Sequence, residues 1–409
     1  MIATTRFNGA PACRIVLVLS ICLASPAFAQ KRTNAVSPLP SRSQEKIISP
    51  GAARHFVEAQ AAEARGDLQT AAREYEAAIA IAPNWAEAIV NLGIVYNRQT
   101  KSDKAIAAFT RAAEIDPRLL GAQLNLAITY FRAQRFREAE MPLRRVLEID
   151  PSNHQADGLL VLSLFALDRY AEVVELAEKL ISGANNAAAL LEVLGRAHLK
   201  LHQYDKAVSA LESRTRLQPV SAEIYLLLGE ARDNTGDSEG AIKEFSRAIA
   251  TGDKAPPELH FALGYVLWKL RRYDEAEVEF RVELELDRNH ARSIYYLGNI
   301  ALSRGDWKSA ARLLEQAAGA MPENFAAHYD FGKALLQVKE AGRAVVEARA
   351  AITLNPKHSG AHYQLGLAYR QLKQEEEAQR EFALSRELNK AEREDLDQKV
   401  QGEERKKRP

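Results

Sequence analysis

Apolar positions recur with a helical rhythm from about residue 52 to residue 390, and polar breaks interrupt that rhythm at a fixed interval. The stretch Asn91–Pro117, NLGIVYNRQTKSDKAIAAFTRAAEIDP, shows the unit. Leu92 and Tyr96 lie on one face of a first helix, and Ala105, Phe109 and Ala112 lie on one face of a second. Spacings of three and four are those of amphipathic helices packed on one side. The polar run between them predicts a short turn. Pro117 ends the unit, because proline cannot continue a helix and biases the residue before it away from helical angles.

Three marker rows keep the same period. Leu92-Gly93 returns as Leu194-Gly195, Leu228-Gly229, Leu263-Gly264, Leu297-Gly298, Phe331-Gly332 and Leu365-Gly366. From Gly195 to Gly366 the glycines are 34 apart, with one step of 35 between Gly229 and Gly264. Stepping by 34 from Gly93 also lands on Ala59, Ala127 and Val161, which makes ten registers. Alanines recur from Ala71 and Ala105 to Ala344 and Ala378, and prolines from Pro83 and Pro117 to Pro322 and Pro356. A glycine inside a helix costs about 1 kcal/mol relative to alanine. That cost is tolerable where the missing side chain lets two helices approach. The bulky row Tyr75, Phe109, Leu143, Leu211, Phe245, Phe280, Leu314 and Phe382 is expected to fill the space beside it. A fixed period carrying phased markers is a repeat architecture.

Leu-Gly, then Tyr96, Ala105, Phe109, Ala112 and Pro117, resembles the tetratricopeptide repeat, the helix-turn-helix unit with a period of 34. The resemblance covers roughly residues 52–390. It implies an all-α fold, a right-handed superhelical solenoid of about ten such units, whose inner groove binds other proteins or peptides.

Residues 1–29 stand outside this pattern. Arg6 and Arg14 precede the apolar run Ile15–Ala24, and Ala27-Phe28-Ala29 offers a small-x-small cleavage site, which together predict a secretory signal peptide cleaved after Ala29. The apolar run is ten residues long, too short to cross a bilayer, which needs about 20. The mature product is then periplasmic or secreted and has no stable membrane span. Both cysteines, Cys13 and Cys22, fall in the removed segment, so thiol catalysis, thiolate metal sites and disulfides are not expected. Residues 30–50 read as a disordered linker, 51–390 as the solenoid and 391–409 as a charged capping helix and tail. The chain has 55 basic and 54 acidic residues, and loss of Arg6 and Arg14 leaves 53 against 54. Such balance argues against nucleic acid as the partner.

Two departures from the period carry expectations. In the fourth unit Val161 replaces glycine, Val173 replaces alanine and Asn185 stands in the proline row, so wider helix packing and a bend are expected there. Pro142 falls inside the second helix of the third unit and predicts a mild kink.

No catalytic constellation is present, neither a phosphate loop, nor HExxH, nor a G-x-S-x-G elbow. The histidine pairs His198/His202 and His358/His362 are four apart, but His202 falls in a turn and His358 precedes its helix, so all four read as surface histidines. No cofactor and no metal are expected. The candidate site is the groove lined by the first helices. By analogy with the family, the second and third units place Asn91, Asn97, Arg98, Asn125 and Arg132 there. Asn91/Asn125 and Arg98/Arg132 are each 34 apart and are expected to form ladders. Asparagine can hold a peptide backbone, and arginine suits a carboxylate. This resembles the family's clamp for a C-terminal carboxylate. However, the basic residue expected one unit earlier is missing, since that region offers Phe56, Val57 and Gln60. Later units place Phe261, Tyr265 and Trp268, then Arg292, Tyr295 and Tyr296, then Tyr329 and Lys333, then Tyr363 and Arg370 on the corresponding faces. Aromatics with arginine are enriched at interface hot spots. The reading is a non-enzymatic scaffold for a protein or peptide partner. The rivals are a polysaccharide-binding or polymer-export accessory protein, and a helper subunit of an envelope enzyme complex.

Overall fold

The structure is a computed structural model that describes residues 48–181, 187–217, 220–252 and 254–406, with side chains to residue 394. The signal peptide, most of the linker, Asn185 and Pro219 lie outside the described residues. Within them the chain is all-α, with twenty helices and no strand, arranged as ten helical hairpins.

The hairpins are α1 (Pro50–Ala64) and α2 (Leu68–Ile81), α3 (Ala86–Arg98) and α4 (Ser102–Ile115), and α5 (Leu120–Arg132) and α6 (Phe136–Ile149). Then come α7 (His154–Ala166) and α8 (Tyr170–Ile181), and α9 (Ala187–Lys200) and α10 (Tyr204–Leu217). A second series follows as α11 (Ala222–Thr235) and α12 (Ser238–Ala250), α13 (Leu259–Lys269) and α14 (Tyr273–Leu286), and α15 (Ala291–Arg304) and α16 (Trp307–Ala320). It ends with α17 (Phe325–Gln337) and α18 (Ala341–Leu354), then α19 (Ser359–Gln371) and α20 (Glu375–Lys406). The chain divides between Val220 and Ser221 into two compact units, so each holds five hairpins.

The helix ends follow local chemistry. Ser49 caps α1 by accepting from the Ala52 amide at 3.3 Å, so the first helix begins two residues earlier than the repeat rhythm alone implies. Asp67, Asp237 and Asp306 cap α2, α12 and α16 in the same way. Each hairpin turn contains one residue in the left-handed region, and these residues keep the period. They are Gly66, Gly236 and Gly305, and between them Thr100, Gln134, Asp168, His202, Arg271, Lys339 and Lys373. Seven turns thus use a non-glycine residue where glycine carries no steric penalty, at about 1 kcal/mol each.

The small-residue rows face the core of their own hairpin. A Cβ built on Gly93 would lie 2.5 Å from the Phe109 ring, and on Gly229 it would lie 2.3 Å from the Phe245 ring. Gly195, Gly264, Gly298 and Gly366 meet Leu211, Phe280, Leu314 and Phe382 at 2.6 to 2.8 Å. Ala71, Ala105, Ala139, Ala207, Ala241, Ala276, Ala310 and Ala378 are fully buried, as are Tyr75, Phe109, Leu143, Leu211, Phe280 and Leu314. Burying each large side chain is worth about 1.5–3 kcal/mol.

The fourth hairpin exchanges its volumes. Val161 replaces glycine on α7, and the bulky row on α8 drops to Ala177, with both residues buried. The two helices lie less closely along one another than those of any other hairpin. Pro142 is buried within α6, and the helix continues past it to Ile149. The charged segment after residue 390 continues α20 to Lys406, so it extends the last hairpin and forms no separate capping element.

Four hairpins share a polar clip. His55, His260, His328 and His362 on first helices reach Glu74, Glu279, Glu347 and Glu381 on second helices at 2.7 to 2.8 Å, always across nineteen residues. In the last two pairs the other ring nitrogen donates to the carbonyl of Pro322 or Pro356 at 3.0 Å. The repeat's closing proline is thereby tied to the next hairpin.

Candidate partner-binding surface

From α3 onward within each unit, a first helix approaches the first helix of the next hairpin more closely than second helices approach one another. The first helices therefore form the inner side of each unit.

In the second and third hairpins these side chains are largely committed. The Asn97 amide donates to Thr129 Oγ1 at 2.7 Å, joining α3 to α5, and Thr129 in turn donates to the Asn125 carbonyl at 2.6 Å. The Asn125 amide donates to the Gly121 carbonyl of its own helix at 2.8 Å, so it does not pair with Asn91. Asn91 is half-buried beside Tyr75. Arg98 forms an ion pair with Glu63 at 2.9 Å, and Glu63 also accepts from Tyr75 at 3.2 Å. Arg132 is exposed. At the missing clamp position, Phe56 stacks on Trp85 with ring centroids 4.4 Å apart.

The second unit has a different inner face. Tyr296 is the hub of a ring cluster, 5.3 Å from Tyr265, 4.9 Å from Trp268 and 5.0 Å from Tyr295. It also stacks on Phe280 of α14 at 5.5 Å, which anchors the cluster in the core. Tyr265 and Trp268 are stacked at 6.2 Å. Phe261 is fully buried and belongs to the core; the Arg292 guanidinium sits 4.0 Å above its ring and pairs with Glu258 at 3.2 Å. Spaced 34 apart, Tyr295, Tyr329 and Tyr363 form a row across α15, α17 and α19. Tyr329 packs on Phe325 and His358, and Tyr363 lies 5.4 Å from Phe382 with half its surface exposed. Arg370 lies 5.6 Å over the same Phe382 ring, and Lys333 is exposed.

A carboxylate lies within this row. Asp330 Oδ2 accepts from the Tyr295 hydroxyl at 2.6 Å and from the Asn299 amide at 2.8 Å. Burial raises the Asp330 pKa above its ordinary value, and the Tyr295 hydrogen bond and the Lys333 charge oppose that shift. Burial likewise raises the Tyr295 and Tyr296 hydroxyls. Flat apolar rings, a desolvated acceptor and basic groups at the rim can hold a protein segment by contact alone.

Asp330 and Asn299 were not singled out by sequence reasoning. Asp330 stands two residues before Gly332, the same register as Asn91 and Asn125, and following that row along the chain finds it. The histidines need correction. His198 and His362 are buried, not superficial. His198 bonds Gln203 at 2.8 Å, and burial lowers its pKa. His362 is held between Glu381 and the Pro356 carbonyl. His358 caps α19, and His202 lies exposed in its turn.

Tetratricopeptide-repeat family models match residues 86–152, 193–256, 234–291, 301–347 and 348–380, together more than half of the chain. The chain is similar to cell division cycle protein 27 homolog A of Arabidopsis thaliana, 29% identical over 96 residues, which is 24% of this chain and 13% of that protein. It is similar to BBSome complex member BBS4 of Bos taurus, 30% identical over 110 residues, 24% of this chain and 21% of that protein. The match thus spans less than a quarter of either relative's own length. Among solved structures, MamA from Desulfovibrio magneticus is 25% identical over 42% of this chain and 96% of its own, with a TM-score of 0.39. No described helix is long and apolar enough to cross a membrane. With ten hairpins in one register, glycines seated against the neighbouring helix and family models matched along most of that register, this chain belongs to the tetratricopeptide-repeat family.

Proposed function

We propose that this chain is a non-enzymatic protein-interaction scaffold, and that the inner face of its second unit holds a protein or peptide partner. The observation that carries the reading is the Tyr295–Asp330–Asn299 network within the tyrosine row. It offers aromatic surface and a desolvated acceptor on one face. The scaffold works outside the cytoplasm. Support for that comes from the basic start, the ten-residue apolar run and the Ala27-Phe28-Ala29 site, with both cysteines inside the leader.

Crosslinking in the native envelope fraction, followed by identification of the captured protein and titration with it, tests this. Tyr363→Ala is expected to weaken binding about tenfold or more, as hot-spot truncations do. Arg132→Ala on the first unit leaves it unchanged. The opposite ranking moves the site to the first unit. Retention of an oligosaccharide on a glycan array, lost in Tyr363→Ala, would replace the protein partner with a polysaccharide. Fractionation with N-terminal sequencing checks the location, and a mature start at Gln30 is expected.

A further inference from the structure

Of the four histidine–glutamate clips, the first differs. His55 Nδ1 lies 2.8 Å from Glu74 Oε2, as its counterparts do, but it also lies 3.9 Å from Glu58 Oε2. One ligand atom from each of the three residues falls within 4.8 Å of the others. In every later unit the register of Glu58 holds the apolar residue before the glycine row. It is Leu263, Phe331 or Leu365 in the other clipped hairpins. An open array end accounts for a polar residue at this position. It does not account for a second carboxylate aimed at a ring nitrogen that already faces one.

We propose that His55, Glu58 and Glu74 form a divalent-cation site suited to Zn2+, joining α1 to α2 at the start of the first unit. An imidazole nitrogen and two carboxylate oxygens, with water as the fourth ligand, form a set that zinc accepts. Zinc bonds of about 2.0–2.2 Å place neighbouring tetrahedral ligands about 3.3 Å apart. The two distances measured from His55 lie on either side of that value, so small side-chain rotations suffice. Two carboxylates with a neutral ring match the charge of a dication. Nearby Arg54 and Arg73 approach Glu58 and Glu74 at only 3.6 and 3.5 Å and are themselves largely exposed, so they can be displaced. Among the described residues none of the other three clips brings a second carboxylate within ligand distance of the ring, although Glu283 acts on His260 from farther away, and they serve as internal controls.

Titration of the tag-free mature chain starting at Gln30, which lacks both cysteines, with Zn2+ by calorimetry, followed by X-ray absorption at the zinc edge, tests this. One equivalent is expected, with an oxygen and nitrogen shell that includes a single imidazole. Glu58→Gln, at an exposed side chain, is expected to weaken binding at least tenfold, and His55→Gln to abolish the site. Glu279→Gln in the seventh hairpin leaves it unchanged. Circular dichroism of Glu58→Gln establishes that the fold persists. The absence of saturable binding, or binding unaltered in both Glu58→Gln and His55→Gln, overturns the site.

Discussion

The second and ninth hairpins place the same backbone under opposite constraints. In the second, Gly93 lies against the Phe109 ring, and an added Cβ would approach it to 2.5 Å. In the ninth, the bulky row drops to the buried Ala348, and Phe331 on the first helix replaces the usual leucine. A Cβ on Gly332 would first meet the end of the Gln364 side chain at 3.2 Å. The fourth hairpin supplies a third arrangement, with Val161 opposite Ala177. What persists among the three is filled volume between two helices, and either helix can supply it. The inner faces diverge at the same registers. Val90 and Asn91 in the second hairpin correspond to Tyr329 and Asp330 in the ninth.

Removing the large partner breaks the comparison most severely. Phe109→Ala is expected to destabilise the first unit by about 3–5 kcal/mol, as other buried aromatic truncations do. Urea denaturation of the full chain, read with hydrogen exchange to localise the loss, measures it. Hairpins in a repeat array melt semi-independently, so the loss should centre on α3 and α4. Uniform loss of protection across both units would contradict this local account.

Filling the glycine sharpens the contrast. Gly93→Ala forces the Phe109 ring to move and is expected to cost about 1–3 kcal/mol, the range for overpacked cores. Gly332→Ala needs only the Gln364 end to shift and gains up to about 1 kcal/mol of helix preference. The two variants should therefore move the denaturation midpoint in opposite directions, and a matching loss in both would refute the difference in packing.

The smallest expected effect concerns pH. Glu279 raises the His260 pKa through its hydrogen bond, against an opposing effect of burial. A histidine whose folded pKa is raised contributes stability that is complete below the unfolded value of about 6.5 and is lost as pH rises through the folded value. Thermal midpoints of the second unit should therefore fall as pH rises above about 6.5, and Glu279→Gln should flatten that fall. An unchanged slope in Glu279→Gln would assign the pH dependence elsewhere.

Much of the architecture was legible in the sequence because it is periodic. The glycine, alanine and bulky rows mark the contacting helix faces, and Gly93 does meet Phe109. The polar surface was legible only as a set of positions. Asn125 was expected to form a ladder with Asn91, yet its amide bonds to its own helix, while Asn97 reaches Thr129. The roles of the four-spaced histidines were not legible from that spacing, because His362 pairs with Glu381 nineteen residues away on the paired helix, His198 bonds Gln203 and His358 caps its own helix.

The sequence by itself determined how many hairpins form, where each turns and which faces meet. Those properties arise from helix periodicity and residue size, which act over a few neighbouring positions. Only the tertiary structure decided which polar groups are already engaged and which remain on the surface. Asp330 takes its two hydrogen bonds from side chains 31 and 35 residues earlier, and only the packing of one hairpin on the next brings those atoms within 3 Å.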